Sequence, residues 1–387
     1  MRFNFTGPWT ASTIGNNFHL TSGLTPSTKE KIYFNSGAIP WINSGELKNK
    51  YISKTDNLLT YDAVCKHNLT IYPINTMIIA IYGLEAVGVR GKASITKMKT
   101  TISQSCMAFE PKGNIQTEFM YYLYKKKSQI LGIKYAQGTK QQNLSSDLIA
   151  RFKIHYPSRL EQQKITDFLS LIDDRIDTQN KIISDYEAQK KSIINDYFNK
   201  NSNKWNKYQL SKILKEYSEY KIKDDNIIHA TLSKDGISPK TERYDRDFLV
   251  KDVNKKYKVT YYDDICYNPA NLKFGVITRN NFGTCIISPI YITYKVNNYF
   301  DPKFIELLVT TSKFIKKARK FEQGTVYERM SVNSNDLLSM HVSVPSINEQ
   351  NIFVRVVEVF NDKIRIEKKL LELYQKQKLY LLKNMFI

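Results

Sequence analysis

Little in this chain is suited to holding a metal or a nucleotide cofactor. Its 387 residues include four cysteines, Cys65, Cys106, Cys266 and Cys285, with no C-x-x-C spacing. The five histidines, His19, His67, His155, His229 and His341, are scattered singly. That distribution argues against a structural zinc site and fits thiols kept reduced in a cytosol. No G-x-x-x-x-G-K-S/T phosphate loop occurs, and Gly83, Gly88 and Gly91 lack the spacing of a dinucleotide-binding turn. The most apolar short run, Met77-Ile78-Ile79-Ala80-Ile81-Tyr82, is strand length. A spanning helix needs ~20 apolar residues. Met1-Arg2-Phe3-Asn4-Phe5-Thr6 contains no apolar core of a secretory signal, so a cytoplasmic location is expected. Tyr267-Asn268-Pro269-Ala270-Asn271 brushes against the N-P-P-Y motif of amino-methyltransferases, but Ala270 and Asn271 replace the proline and the ring that hold a flipped base. No catalytic residue and no metal ligand is therefore expected.

Acidic residues are scarce relative to basic ones: 58 Lys+Arg against 37 Asp+Glu leave a net charge of +21. Such an excess favours a polyanionic partner, most often nucleic acid. The bland alternative is a set of lysines that only maintain solubility. The length exceeds what one hydrophobic core sustains, so two or more domains are expected.

What the chain does contain is a repeat. Gln137-Gly138-Thr139 returns as Gln323-Gly324-Thr325, at an offset of 186. Pro157-Ser158-Arg159-Leu160-Glu161-Gln162 returns as Pro345-Ser346-Ile347-Asn348-Glu349-Gln350, at an offset of 188 that holds to the end of the chain. A long-period duplication whose copies agree in one part and diverge in another separates a shared scaffold from two parts free to read different things.

The matching parts predict two long helices, over 158–199 and 346–387. Ser158-x-x-Glu161 and Ser346-x-x-Glu349 fit the capping box, and Pro157 and Pro345 disfavour an earlier start. Beyond the caps, apolar residues recur at alternating steps of three and four: Ile165, Leu169, Ile172, Ile176, Ile183 in one, Phe353, Val357, Phe360, Ile364, Leu371 in the other. Four heptads of this pattern predict a coiled-coil seam. Polar residues interrupt both seams at matching places, Gln179 with Glu367 and Lys190 with Lys378. An antiparallel pairing in which facing numbers add to 557 sets Lys190 against Glu367 and Gln179 against Lys378, and is expected because polar seam residues commonly meet each other. The alternative at 550 would set Lys190 against Phe360. The paired stretch from Ile172 to Tyr197 would be ~38 Å long at ~1.5 Å per residue, close to one ~34–36 Å turn of B-DNA.

The diverged parts, 1–157 and 200–345, read as mixed α/β domains. Each opens on a tryptophan, Trp9 or Trp205, and has a short strand at Met77-Ile78-Ile79 or Ile265-Cys266-Tyr267. Each places a helix, with Phe119 and Leu123 or Ile305 and Val309, before its Gln-Gly-Thr loop. Ile39-Pro40-Trp41-Ile42-Asn43-Ser44-Gly45 has no twin in the second copy, and Ala230-Thr231-Leu232-Ser233-Lys234-Asp235-Gly236-Ile237 has none in the first. The fold class expected is α+β: two target-reading domains separated by two long helices in an antiparallel coiled coil, with an internal pseudo-twofold.

In this order and twice over, these strings resemble the DNA-specificity subunit of type I restriction–modification enzymes, over nearly the whole length. The resemblance implies two target-recognition domains, each reading one part of a split, asymmetric double-stranded DNA site, and two helices that set the spacing. It implies no chemistry by the chain itself. Two methyltransferase subunits and the translocating restriction subunits would be its partners, and S-adenosylmethionine, ATP and Mg2+ would belong to them.

Candidate DNA-contacting residues are Arg90, Lys92, Thr139, Lys140 and Gln141 in the first domain. In the second they are Lys234, Asn271, Lys273, Arg279, Thr325, Tyr327 and Arg329. Lysines supply phosphate attraction, and Arg, Asn, Gln and Thr can reach base edges. Trp9, Trp41 and Trp205 read as core anchors rather than base stackers. Two other readings stay open: a DNA adenine methyltransferase with its own cofactor site, and a coiled-coil assembly protein whose basic charge is incidental.

Overall fold

The computed structural model describes residues 3, 5–83, 91–134, 143–201, 204–222, 227–234, 236–240, 255–323 and 330–386. It is a mixed α/β structure divided into two compact units, Met1–Asn180 with Lys369–Ile387, and Lys181–Lys368. Four helices organise it: α1 (Thr117–Lys134), α2 (Arg159–Asn201), α3 (Pro302–Val309) and α4 (Ile347–Met385). No helix among the described residues is long and apolar enough to cross a membrane.

In the first unit a five-stranded sheet runs in the order Phe18–Ser22, Cys106–Pro111, Met77–Ala80, Ala93–Thr96, Tyr51–Ile52, antiparallel except for the last pair. Its central strand is buried along its whole length, as a near-continuous apolar run requires when both faces are covered. Phe119, Tyr122 and Leu123 of α1 belong to the same core as Met77 and Ile79. The Ile39–Ile42 string becomes the middle strand of a small sheet between Leu58–Leu59 and Thr101–Ile102.

The second unit has a four-stranded antiparallel sheet, Leu214–Tyr217, Ile292–Val296, Ile265–Tyr267, Ile277–Arg279. Phe304, Ile305, Leu308 and Val309 of α3 share its core. Here the unmatched string forms a hairpin, Ala230–Ser233 with Gly236–Pro239. The two strings without twins thus build different small accessories on similar sheets.

The repeated Pro-Ser-x-x-Glu-Gln string plays one structural part in both copies. Ser158 Oγ accepts from the Glu161 amide at 3.3 Å, and Ser346 Oγ from the Glu349 amide at 3.5 Å. The buried Gln162 donates Nε2 to Pro157 O (3.0 Å) and accepts at Oε1 from the Gln116 amide (2.9 Å), at the entry to α1. Gln350 repeats this with Pro345 O and the Asp301 amide, both at 2.9 Å, at the entry to α3. One amide side chain satisfies both a donor and an acceptor that burial would otherwise leave unpaired. The Glu349 carboxylate also ties in two aromatic side chains, accepting from Tyr197 OH (3.0 Å) and Trp205 Nε1 (3.2 Å). Trp41 and Trp205 are buried, and Trp9 packs half-buried with its ring centroid 6.0 Å from that of Phe119.

Within each unit a stretch of α2 lies antiparallel to a stretch of α4. In the first, Lys378 pairs with Asp173, and the Arg175 guanidinium lies 6.0 Å from the Tyr374 ring. In the second, Lys368 pairs with Glu187 at 2.7 Å, Lys190 Nζ donates to Asn361 Oδ1 at 3.0 Å, and Tyr197 stacks on Phe353 with centroids 3.6 Å apart.

These contacts correct the expected register. Partner numbers add to 551 for Asp173 with Lys378 and for Lys190 with Asn361, and to 550 for Tyr197 with Phe353. Lys190 takes Asn361 where 557 had set it against Glu367, and Lys378 takes Asp173 where 557 had set it against Gln179, which is itself buried. The reason is one of magnitude. Exposed polar pairs contribute ~0–1 kcal/mol, whereas burying a large apolar side chain contributes ~1.5–3 kcal/mol. A slip of seven residues moves a helix by ~10.5 Å along its axis. It would take Phe353 off Tyr197, and Leu381, Leu382 and Met385 out of the core they share with Ile165, Leu169 and Ile172.

Candidate nucleic-acid interface

Of the candidate contact residues, Arg90, Thr139, Lys140, Gln141, Thr325, Tyr327 and Arg329 lie outside the described residues. The others can be placed. Asn271 and Lys273 sit on the short 3-10 helix Pro269–Phe274. Asn268 caps it by accepting from the Ala270 amide at 3.1 Å, and Gly275 ends it at φ +81°, a left-handed conformation that glycine adopts without strain. Lys273 is exposed, its ammonium 5.2 Å from the ring of Phe274, which is itself 66% exposed. An exposed cation on an exposed ring, held by a capped turn, suits contact with a phosphate and a stacked base. Lys234 is exposed at the turn of the Ala230–Pro239 hairpin. Lys92, in the first unit, is half-buried and accepts at its carbonyl from the Ala80 amide at 3.1 Å.

Arg279 is corrected from contact residue to structural residue. Its side chain is buried, with NH1 2.6 Å from Asp263 Oδ1 and Nε 3.1 Å from Glu306 Oε2. Glu306 also accepts from the Arg279 amide (3.2 Å) and Thr278 Oγ1 (3.1 Å). The guanidinium is engaged by two carboxylates inside the unit, because alternation along the strand turns it inward.

The two units build a similar mount beside the Gln-Gly-Thr segments. In the first, the Leu144 amide donates to Ile81 O at 3.1 Å; in the second, the Val332 amide donates to Pro269 O at 3.2 Å. Both pairs are related by the offset of 188. The end of each central strand is thereby bonded to the chain just after its Gln-Gly-Thr segment, and Asn271 and Lys273 project from that place in the second unit.

Sequence reasoning missed a polar cluster in the first unit. Lys50 Nζ donates to Ser170 Oγ (2.7 Å) and Tyr122 OH (3.1 Å), and Tyr122 OH donates to Asp173 Oδ2 (2.6 Å). Nearby, Lys125 Nζ donates to Gly91 O at 2.7 Å. Burial, aided by the Lys378 charge, brings the Lys125 ammonium down to about 8. No local pattern joins these residues, whose bonded partners lie up to 120 positions apart.

The family description "Type I restriction modification DNA specificity domain" matches residues 7–188. Two curated relatives are similar over a comparable stretch. The MjaIX specificity subunit of Methanocaldococcus jannaschii is 33% identical over 177 residues, 45% of this chain and 40% of that protein. The EcoR124I/EcoR124II specificity subunit of Escherichia coli is 26% identical over 174 residues, 45% of this chain and 42% of that protein. The chain thus spans about two fifths of the length of the curated relatives it matches. Among solved structures, the S subunit of the type I system from M. genitalium matches with a TM-score of 0.56 and 17% identity, covering 100% of this chain and 98% of its own. A chain from a study of complex assembly in the type I system matches at 0.62 and 10% identity, covering 99% of each. At these identities the structural likeness speaks for the fold, and the sequence match is confined to residues 7–188, which are similar to the type I restriction modification DNA specificity domain.

Proposed function

We propose that the chain is a specificity subunit that reads an asymmetric, two-part target in double-stranded DNA and brings methyltransferase and restriction subunits to it. The observation that carries this reading is the duplicated scaffold: a specificity-domain match in the first copy, and the same helix start, the same glutamine latch and the same strand-end mount in the second. Residues 1–157 and 200–345 act as the two target-recognition domains. The helices over 158–199 and 346–387 act as an antiparallel coiled-coil spacer. A protein whose two reading domains present different side chains specifies two different half-sites, unlike the palindrome read by a symmetric dimer.

Among the candidate residues, Lys92, Lys140, Lys234 and Lys273 supply phosphate contacts, and Asn271, Gln141, Thr139, Thr325, Tyr327, Arg90 and Arg329 the base-reading side. The chain acts in the cytoplasm without catalysis of its own, and S-adenosylmethionine, ATP and Mg2+ serve its partner subunits. An exposed apolar face of α4 in the second unit supports partner docking. Ile352, Val359 and Ile366 are 64%, 54% and 61% exposed, while Phe353, Val357 and Ile364 on the opposite face are buried. Contiguous exposed apolar surface on a helix favours a protein partner.

The test is DNA binding by the full chain across a salt series. Specific binding should weaken with log[salt] at a slope of about 0.9 per phosphate contact. Affinity that does not respond to salt, or a stoichiometric S-adenosylmethionine isotherm for the chain alone, would contradict the proposal.

A further inference from the structure

Four segments of the first unit meet where its central strand ends. The Asn43–Glu46 turn is tied down by Glu46, whose carboxylate accepts from the Asn43 and Asp56 amides, both at 3.0 Å, and from the Thr55 hydroxyl. The Gly45 amide donates to Asn43 Oδ1 at 2.8 Å. The Ser44 amide donates to Ser105 Oγ at 3.3 Å, and the Ile81 amide to Ser105 O at 3.0 Å. Tyr82 forms a β-bridge with Asn143, and the Gln104 amide donates to Thr25 Oγ1 at 3.2 Å. Residues 43–46, 81–83, 103–105 and 143–144 therefore make one rim.

The rim combines a mount common to both copies with residues that are not shared. The bond between Leu144 and Ile81 has its twin between Val332 and Pro269. The turn that packs on it belongs to the Ile39–Gly45 string, which has no twin. Its exposed groups are polar and uncharged, apart from Glu46, whose carboxylate is engaged in the turn. Gln104 is exposed, and its side-chain amide has no hydrogen bond among the described residues. Tyr82 is 38% exposed. Asn143 Oδ1 is buried without a donor among the described residues, an acceptor that an incoming donor group would satisfy. Amide side chains held on a rigid backbone are what reading a base edge demands, and glutamine matches the N6/N7 edge of adenine with two hydrogen bonds.

We propose that Gln104, on the rim with Ser44, Tyr82 and Asn143, is a specificity-determining residue that reads an adenine edge in the half-site taken by the first unit. The assignment rests on the DNA-specificity reading above. Its test is the methylation motif found by sequencing the genome of a host that carries the full chain with its methyltransferase partner subunits. Wild type is compared with Gln104→Ala and Gln104→Glu. The half-site belonging to the first unit is identified beforehand as the one that changes when residues 1–157 are exchanged. Gln104→Ala should lower discrimination at one position of that half-site by roughly 5- to 150-fold. Gln104→Glu should move the preference there from adenine towards cytosine, whose N4 amino group a carboxylate accepts. The other half-site should not change. A wild-type motif in both variants, a change in the other half-site, or loss of all methylation in both variants while wild type stays active would overturn the assignment. Absence of any two-part motif with the wild-type chain would instead overturn the specificity reading itself.

Discussion

Lys190 donates its ammonium to Asn361 Oδ1 at 3.0 Å, one residue past Phe360, where the expected register had given it Glu367. This polar contact is the by-product of a register chosen elsewhere, by the stacked pair Tyr197 and Phe353. Phe353→Ala should therefore destabilise the second unit by ~3–5 kcal/mol, the cost of losing a buried ring. Lys190→Ala should cost only ~0–1 kcal/mol. Thermal or denaturant unfolding of the full chain checks both, and the reverse ranking would show that polar seam residues set the alignment after all.

Arg279 is the second residue whose role moves. Removing the buried guanidinium deprives the partly exposed Asp263 and Glu306 carboxylates of their charged hydrogen-bond donor, a loss of ~1.5–3 kcal/mol. Arg279→Ala should lower the unfolding midpoint sharply. Lys273→Ala, at an exposed side chain, should leave the midpoint unchanged and weaken DNA binding alike for all sequences, lowering the salt slope by about one contact. A stable Arg279→Ala chain with altered base preference would restore Arg279 to the interface.

Lys125 should leave a pH signature. Burial depresses its folded-state value to about 8, below the usual lysine value of 10.5, so between these two pH values the unfolded chain binds more protons than the folded one. The Lys125 contribution to stability therefore rises as pH climbs from about 8 towards 10.5, and the folded state is penalised below that window. The Asp173 and Lys378 charges also act on it, so the comparison is with Lys125→Met. The variant should lack this rise, and parallel stability curves for the two chains across the window would contradict the assignment.

The exposed face of α4 makes a prediction about assembly. Ile352→Lys with Val359→Glu should abolish co-purification with methyltransferase subunits while leaving DNA binding and the unfolding midpoint of the chain unchanged, because neither side chain enters its core. Retained assembly would mean that the partner docks elsewhere.

What the sequence revealed and what it hid divide along physical lines. Ser158 and Ser346 announce the helix starts because a cap is a local signal within four residues. The roles of Gln162 and Gln350 were legible only as repetition: their partners Gln116 and Asp301 lie 46 and 49 residues away. The register stayed hidden because Phe353, stacked on Tyr197, and Leu381 are fixed by the apolar cores they enter, not by the polar residues of the seam. Arg279 looked like a free donor because nothing in the chain order brings Glu306 beside it. Gln104 carried no signal, since it lies in an ordinary turn whose importance arises only where three other segments close around it.

The most direct measurement is a domain exchange read out by methylome sequencing. Residues 1–157 are replaced by the corresponding block of another specificity subunit, and the modified motif is determined in a host supplying the methyltransferase subunits. Half of the target should change, with the other half and the spacing between them kept. A change in both halves, or in neither, would contradict two independent reading domains on a fixed spacer.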